Sequence, residues 1–146
     1  VPPQVHVLPR TSAGKEFHEL LASADVILHP FPFGGSKTAA DGLSLGLPVV
    51  TMAGDMLPGR MAYSLYKSMG LDRGGNNGCC VVADRDSYVA LAVRLGKDEQ
   101  YRRWAGKLID ERSHVLWERQ EVVNEWAKFL ARAARRLLPT AGEVSV

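Results

Sequence analysis

Four short apolar runs recur along the chain with helix-spaced segments between them, and this alternation restricts the fold more than any other feature of the sequence. The runs are residues 5–8 (VHVL), 25–28 (DVIL), 48–52 (PVVTM) and 79–83 (CCVVA). The first run alternates and reads as a short strand; the second is compact and reads as a buried strand; the other two read as strands as well. Residues 15–24 carry Phe17, Leu20, Leu21 and Ala24 at helical spacing and read as an amphipathic helix. Residues 37–46 read as a helix closed by Gly46, and residues 59–70 as one closed by Gly70. Gly42 lies inside the first of these, where it is costly by propensity, so close packing is expected there. Residues 84–95 open a helix with aspartates at its start. Residues 99–138 are helical almost throughout, with a break near residues 114–117. Strands that alternate with helices imply βαβ units, a parallel sheet and right-handed crossovers. The expected fold class is therefore α/β, a parallel sheet with flanking helices.

A length of 146 residues fits one domain, expected over residues 1–138 with a tail at 139–146. Residues 72–78 (DRGGNNG) read as an exposed loop and the piece least ordered. The chain opens on VPPQVHVLPR, which looks like entry into a strand, so a piece of a longer protein is expected. Eighteen basic residues against sixteen acidic ones imply no affinity for nucleic acid or a membrane surface. No apolar run approaches the roughly 20 residues that span a bilayer, and no secretory signal pattern is visible. Cys79 and Cys80 are adjacent and project to opposite faces of a strand, a poor geometry for a disulfide. They read as small buried residues of a protein from a reducing compartment, cytoplasm or nucleus. No Cys/His cluster at ligand spacing accompanies them, and no metal site is expected.

In open α/β sheets, ligands sit at the carboxyl ends of the strands. There, between the second run and the following helix, the chain places Gly34-Gly35-Ser36-Lys37-Thr38. Amide N–H groups at a helix start, together with the helix dipole, attract an anion. Glycines let the backbone approach it closely. Lys37 adds a charge, and Ser36 and Thr38 add hydroxyls. This set suits a phosphate or diphosphate. Asp41 lies one turn further on, on the face of Thr38, where a carboxylate can accept hydrogen bonds from ribose hydroxyls. The alternative is structural: a loop ending in an N-cap serine, with Asp41 serving the helix dipole. The spacing is neither that of a P-loop nor G-x-G-x-x-G.

The run ADVILHPFPFGGSKTAADGLSLGLPVVTMAGDMLPGRMAYSLYKSMGL, residues 24–71, resembles the O-linked N-acetylglucosamine transferase and SPINDLY family, glycosyltransferase family 41. The resemblance rests on Ala24-Asp25, the turn Pro30-Phe31-Pro32-Phe33, Gly34-Gly35, Thr38, Asp41, the segment from Gly46 to Thr51, and Arg60. Upstream, Lys15 and His18 match a Lys-x-x-His motif, and downstream residues 86–104 are similar to the family's next helix pair. The resemblance implies the carboxy-terminal, Rossmann-like half of a GT-B enzyme, in which two such domains face each other across a cleft. It also implies a nucleotide-sugar site. Lys15 would contact ribose or diphosphate, and His18 the base. Ser36, Lys37 and Thr38, next to Gly34 and Gly35, would hold the diphosphate, and Asp41 the ribose. The implied donor is UDP-N-acetylglucosamine and the implied acceptor a protein Ser or Thr hydroxyl. No cofactor or metal is implied. The family's principal phosphate lysine, its general-base region and helical TPR repeats are expected upstream of Val1, so transfer by this chain alone is not expected.

The chain departs from the family at Ser36-Lys37, where hydroxyl or imidazole residues are usual, and at His29, where relatives often carry an acid. Three readings stay open: a protein O-glycosyltransferase, a GT-B transferase acting on a lipid or glycan, and a non-catalytic nucleotide-sugar-binding module. Among other residues, His6 reads as structural in the first strand, and His29 as either site or scaffold. His114 reads as exposed between helices. Trp104, Trp117 and Trp126 read as core, and Arg132, Arg135 and Arg136 as a solvated face.

Overall fold

The computed structural model describes residues 4–11, 14–73 and 78–137. They divide into two compact units, the first reaching to His114 and the second beginning at Val115. The first contains helix α1 (Gly14–Ala22), strand β1 (Ile27–Leu28), helix α2 (Ser36–Ser44) and strand β2 (Val49–Met52). A 3-10 turn (Leu57–Arg60), helix α3 (Met61–Ser68), strand β3 (Val81–Val82), and helices α4 (Arg85–Lys97) and α5 (Glu99–Ser113) follow. The three strands form one sheet in the order β1-β2-β3. Both pairings are parallel, with Ile27 opposite Val49 and Thr51 opposite Val81. This is the α/β arrangement expected from the alternation.

β2 is the central strand, and Val49, Val50 and Thr51 are fully buried. α2, α3 and α4 all pack against it. Gly42 shows why a glycine was placed within α2. A Cβ there would come within 2.2 Å of Ile27 Cδ1 and 3.6 Å of Val49 Cγ2, so the helix rests directly on the sheet. Gly46 and Gly70 both have φ of +70°, the left-handed geometry that ends a helix without a Cβ penalty. From α3, Tyr66 fills the core, and its hydroxyl accepts a hydrogen bond from the Val49 N–H at 2.9 Å. α4 begins at Asp84, whose carboxylate accepts from Ser87 N, and α5 begins at Asp98, which accepts from Tyr101 N. α5 packs on α4 and α2. Arg102 ties it to Asp25 at 3.2 Å, and Tyr101 donates to the Cys79 carbonyl. Cys79 and Cys80 are buried free thiols.

The structure corrects several expectations. Residues 5–8 form no strand, and Val5, His6, Val7 and Leu8 are exposed. A four-residue alternation acquires strand geometry only by pairing, and nothing described pairs with it. His6 therefore has no place in a sheet. The second run contributes only Ile27 and Leu28, and Leu28 is half exposed because β1 is a sheet edge. The core reading of the tryptophans fails most clearly at Trp126, which is 58% exposed. It belongs to the second unit, helix α6 (Gln120–Leu137), which follows a 3-10 turn at His114–Leu116. Within α6, Trp126 and Phe129 meet edge to face at 5.7 Å, and Val122, Val123 and Leu130 are also exposed. Helical spacing identifies an apolar stripe but not what covers it. Arg132, Arg135 and Arg136 are exposed as expected, and so is His114. Residues 74–77, most of the glycine-asparagine loop, and the tail at 139–146 lie outside the described residues. The flanks of that loop, Asp72 and Gly78, form an isolated antiparallel bridge.

Candidate functional site

The site is built where β1 ends and α2 begins. Residues 29–35 turn the chain from the sheet into the helix, with a cis peptide at Phe31-Pro32. Gly35 is the N-cap, in extended conformation, and no side chain caps the first turn. Ser36 is the first helical residue and does not cap, so the N-cap-serine alternative falls. The first turn contains no acid and carries Lys37. The amides of a helix start, the positive end of the dipole and a lysine are thus superimposed.

Asp41 is the sixth residue of α2, beyond the first turn where a dipole benefit is concentrated. Its side chain is only 15% exposed and sits between two cationic or potentially cationic groups. Lys37 Nζ donates to its Oδ2 at 2.6 Å, and His18 Nε2 of α1 lies 3.6 Å from its Oδ1. Three residues singled out in the sequence, His18, Lys37 and Asp41, are therefore brought together from two helices. Thr38 stands beside Gly35, where an added Cβ would meet its Oγ1 at 3.4 Å. Lys15 is not drawn into the cluster: it pairs along α1 with Glu19 at 3.7 Å, and both are well exposed.

Behind this surface lies His29, which the sequence left between site and scaffold. Its side chain is 2% exposed. Nδ1 hydrogen-bonds Thr51 Oγ1 of β2 at 3.2 Å, while Nε2 has no partner. Burial lowers its pKa below the ordinary histidine value, so the ring is neutral near pH 7. Gly34 is packed against the ring, and a Cβ there would fall 2.0 Å from Nε2. The His29 carbonyl accepts from the Tyr88 hydroxyl of α4 at 3.1 Å. Tyr88 also meets Phe31 edge to face at 5.3 Å, and the Arg85 guanidinium lies over the Phe31 ring. These contacts fix the turn from behind. Thr51 and Tyr88 are not recognisable as supports from the sequence, because both are remote from the turn along the chain. The turn touches the next loop too: a Cβ on Gly59 would lie 2.6 Å from the Pro32 carbonyl oxygen.

A cavity of about 220 Å³ opens beside the helix start, lined by Leu28, His29, Pro30, Gly35 and Thr38, among others. A larger open hollow of about 540 Å³ runs along α6 between Arg119 and Arg132. One helix and its approach supply all its walls, so it cannot enclose a ligand. Among the described residues, no three His, Cys, Asp or Glu side chains are grouped to hold a metal ion, and no helix is long and apolar enough to cross a membrane.

The model of glycosyl transferase family 41 matches residues 4–124, which include every element of the site. The chain belongs to glycosyltransferase family 41. Among curated members, a probable UDP-N-acetylglucosamine--peptide N-acetylglucosaminyltransferase SPINDLY of Petunia hybrida is 30% identical over 97 residues, 66% of this chain. Its Arabidopsis thaliana counterpart is 32% identical over 95 residues, 65% of the chain. A UDP-glucose:protein N-beta-glucosyltransferase of Actinobacillus pleuropneumoniae is 30% identical over 87 residues, 60% of the chain and 13% of that protein. This family 41 chain spans about a tenth of the length of the two plant relatives. Among solved structures, a variant O-GlcNAc transferase of Thermobaculum terrenum superposes with a TM-score of 0.52 at 24% identity. The match covers 87% of this chain and 24% of that one, and it supports the same fold.

Proposed function

We propose that this chain is the nucleotide-sugar-binding part of a protein glycosyltransferase. The observation that carries the reading is the convergence of His18, Lys37 and Asp41 at an uncapped helix start on the carboxyl end of the sheet. The amides of Ser36, Lys37 and Thr38 are assigned to the diphosphate, with Gly34 and Gly35 admitting close approach. Asp41 is assigned to ribose hydroxyls and His18 to the base. Lys15 joins the set through the family resemblance alone. The helix dipole and the Lys37 charge then favour UDP as a leaving group, and no metal or other cofactor enters the proposal.

UDP is favoured as carrier because the plant and bacterial relatives both name it, although they name different sugars. A protein acceptor is favoured for the same reason. Within that class, UDP-N-acetylglucosamine and a Ser or Thr hydroxyl are the specific proposal. The general base is assigned to no residue of this chain. An accompanying catalytic domain, TPR repeats and a cytoplasmic or nuclear setting belong to the proposal as well.

The test is calorimetric titration of UDP into the chain and into Asp41→Ala. A hydrogen bond to a charged group is worth roughly 1.5–3 kcal/mol, so affinity should fall about ten- to a hundred-fold with the circular dichroism unchanged. If Asp41→Ala binds UDP like the parent and only melts earlier, Asp41 is a structural acid and the ribose assignment is wrong.

A further inference from the structure

Lys37 is on the wrong end of its helix for a cation. The positive end of the dipole opposes a lysine in the first turn, and α2 has no first-turn acid to offset it. Its partner Asp41 lies four residues towards the carboxyl end, the less favourable order for an i,i+4 pair. Lys37 is 81% exposed, so its ammonium can exchange Asp41 for solvent. Asp41, by contrast, is largely covered and flanked by His18. The lysine is therefore the partner free to move. Side chains of helical residues lean towards the helix start, so turning Lys37 from Asp41 to the first-turn amides needs a rotamer change and no backbone shift. His29, almost wholly buried, borders the cavity beside the helix start, with the ring edge that carries its unpartnered Nε2 closed over by Gly34.

We propose that Lys37 is a two-position cation, pairing with Asp41 in the empty site and moving to the diphosphate when a nucleotide enters, which releases Asp41 for the ribose. The proposal rests on the nucleotide reading above and adds a specificity device to it. A nucleoside must compete with Lys37 for Asp41, whereas a nucleoside diphosphate removes that competitor by binding it. The site then selects the diphosphate twice, once by attraction and once by unblocking the acid.

The experiment titrates UDP and uridine into the parent chain, Lys37→Met and Lys37→Arg, each at low and high salt. The parent should bind UDP more tightly than uridine, with a salt-dependent difference. Lys37→Met should lose about ten-fold or more in UDP affinity, with its salt dependence reduced, while uridine binds more tightly because Asp41 is free. Lys37→Arg should keep the preference for UDP. Equal losses for UDP and uridine in Lys37→Met would overturn the proposal, since Lys37 would then only support the fold. Unchanged UDP binding would overturn it too, since Lys37 would then never leave Asp41. A parent chain that binds neither UDP nor uridine would refute the nucleotide reading itself.

Discussion

Replacing Gly34 with alanine tests how the turn before α2 is held. A Cβ on Gly34 would lie 2.0 Å from His29 Nε2 and 2.1 Å from Cε1, well inside contact distance. The ring cannot yield easily: it is 2% exposed, tied to Thr51 through Nδ1, and its carbonyl is bound by Tyr88. Overpacking of a filled site costs about 1–3 kcal/mol. Gly34 is not among the residues with positive φ, which among the described residues are Gly46, Gly70 and Glu118. With the clash absent, Gly34→Ala should therefore stabilise by roughly 0.4–1 kcal/mol, because it restricts the unfolded chain. The two terms separate in a double-mutant cycle with His29→Ala, read by urea denaturation at pH 7.5. Gly34→Ala should destabilise the parent by about 1–3 kcal/mol and be neutral or stabilising in the His29→Ala background, a coupling of that same order. Equal effects in both backgrounds would refute the account, because the glycine would then be required for a reason other than the imidazole.

Two further outcomes follow from the same packing. Tyr66→Phe should cost about 1–3 kcal/mol with an unchanged m-value in urea, because the Val49 N–H at the start of the central strand loses its acceptor inside the core; a loss under 0.5 kcal/mol would mean that the bond is dispensable. Folding stability should also fall as the pH drops below about 6.5. Burial lowers the His29 pKa below that value, so the unfolded chain takes up a proton that the folded chain refuses. Thr51 and Gly34, which pack on the ring, carry no charge, and Tyr88, bound to its carbonyl, has its pKa raised by burial and stays protonated. His29→Asn should flatten the slope between pH 7.5 and 5.5 in denaturant midpoints, and a slope that survives the substitution would place its origin elsewhere.

Local chemistry is legible in the sequence. Period and punctuation identified α2, α3, α4 and the central strand, because β-branched runs and glycine stops act within a few residues. Gly42 as a close-packing position, Gly46 and Gly70 as helix ends, and Asp84 at the start of α4 were all readable in this way. The Gly34–Asp41 segment can be marked as a candidate ligand site from order alone, since it follows a strand and precedes a helix.

Pairing and coverage were not legible. Residues 5–8 alternate like a strand but have no partner, and Trp126 has the spacing of a core residue but lies exposed on α6. The His29–Thr51 bond joins residues 22 apart, and the Tyr88 bond to His29 joins residues 59 apart. The sequence placed Lys37 and Asp41 one turn apart on one helix. Only the packing of α1 against α2 brought His18 to the same carboxylate. Helix and strand signals arise from neighbours along the chain, whereas burial, strand pairing and the neutral buried state of His29 depend on which distant segments close over a residue. A linear sequence does not specify those distances until the chain has folded.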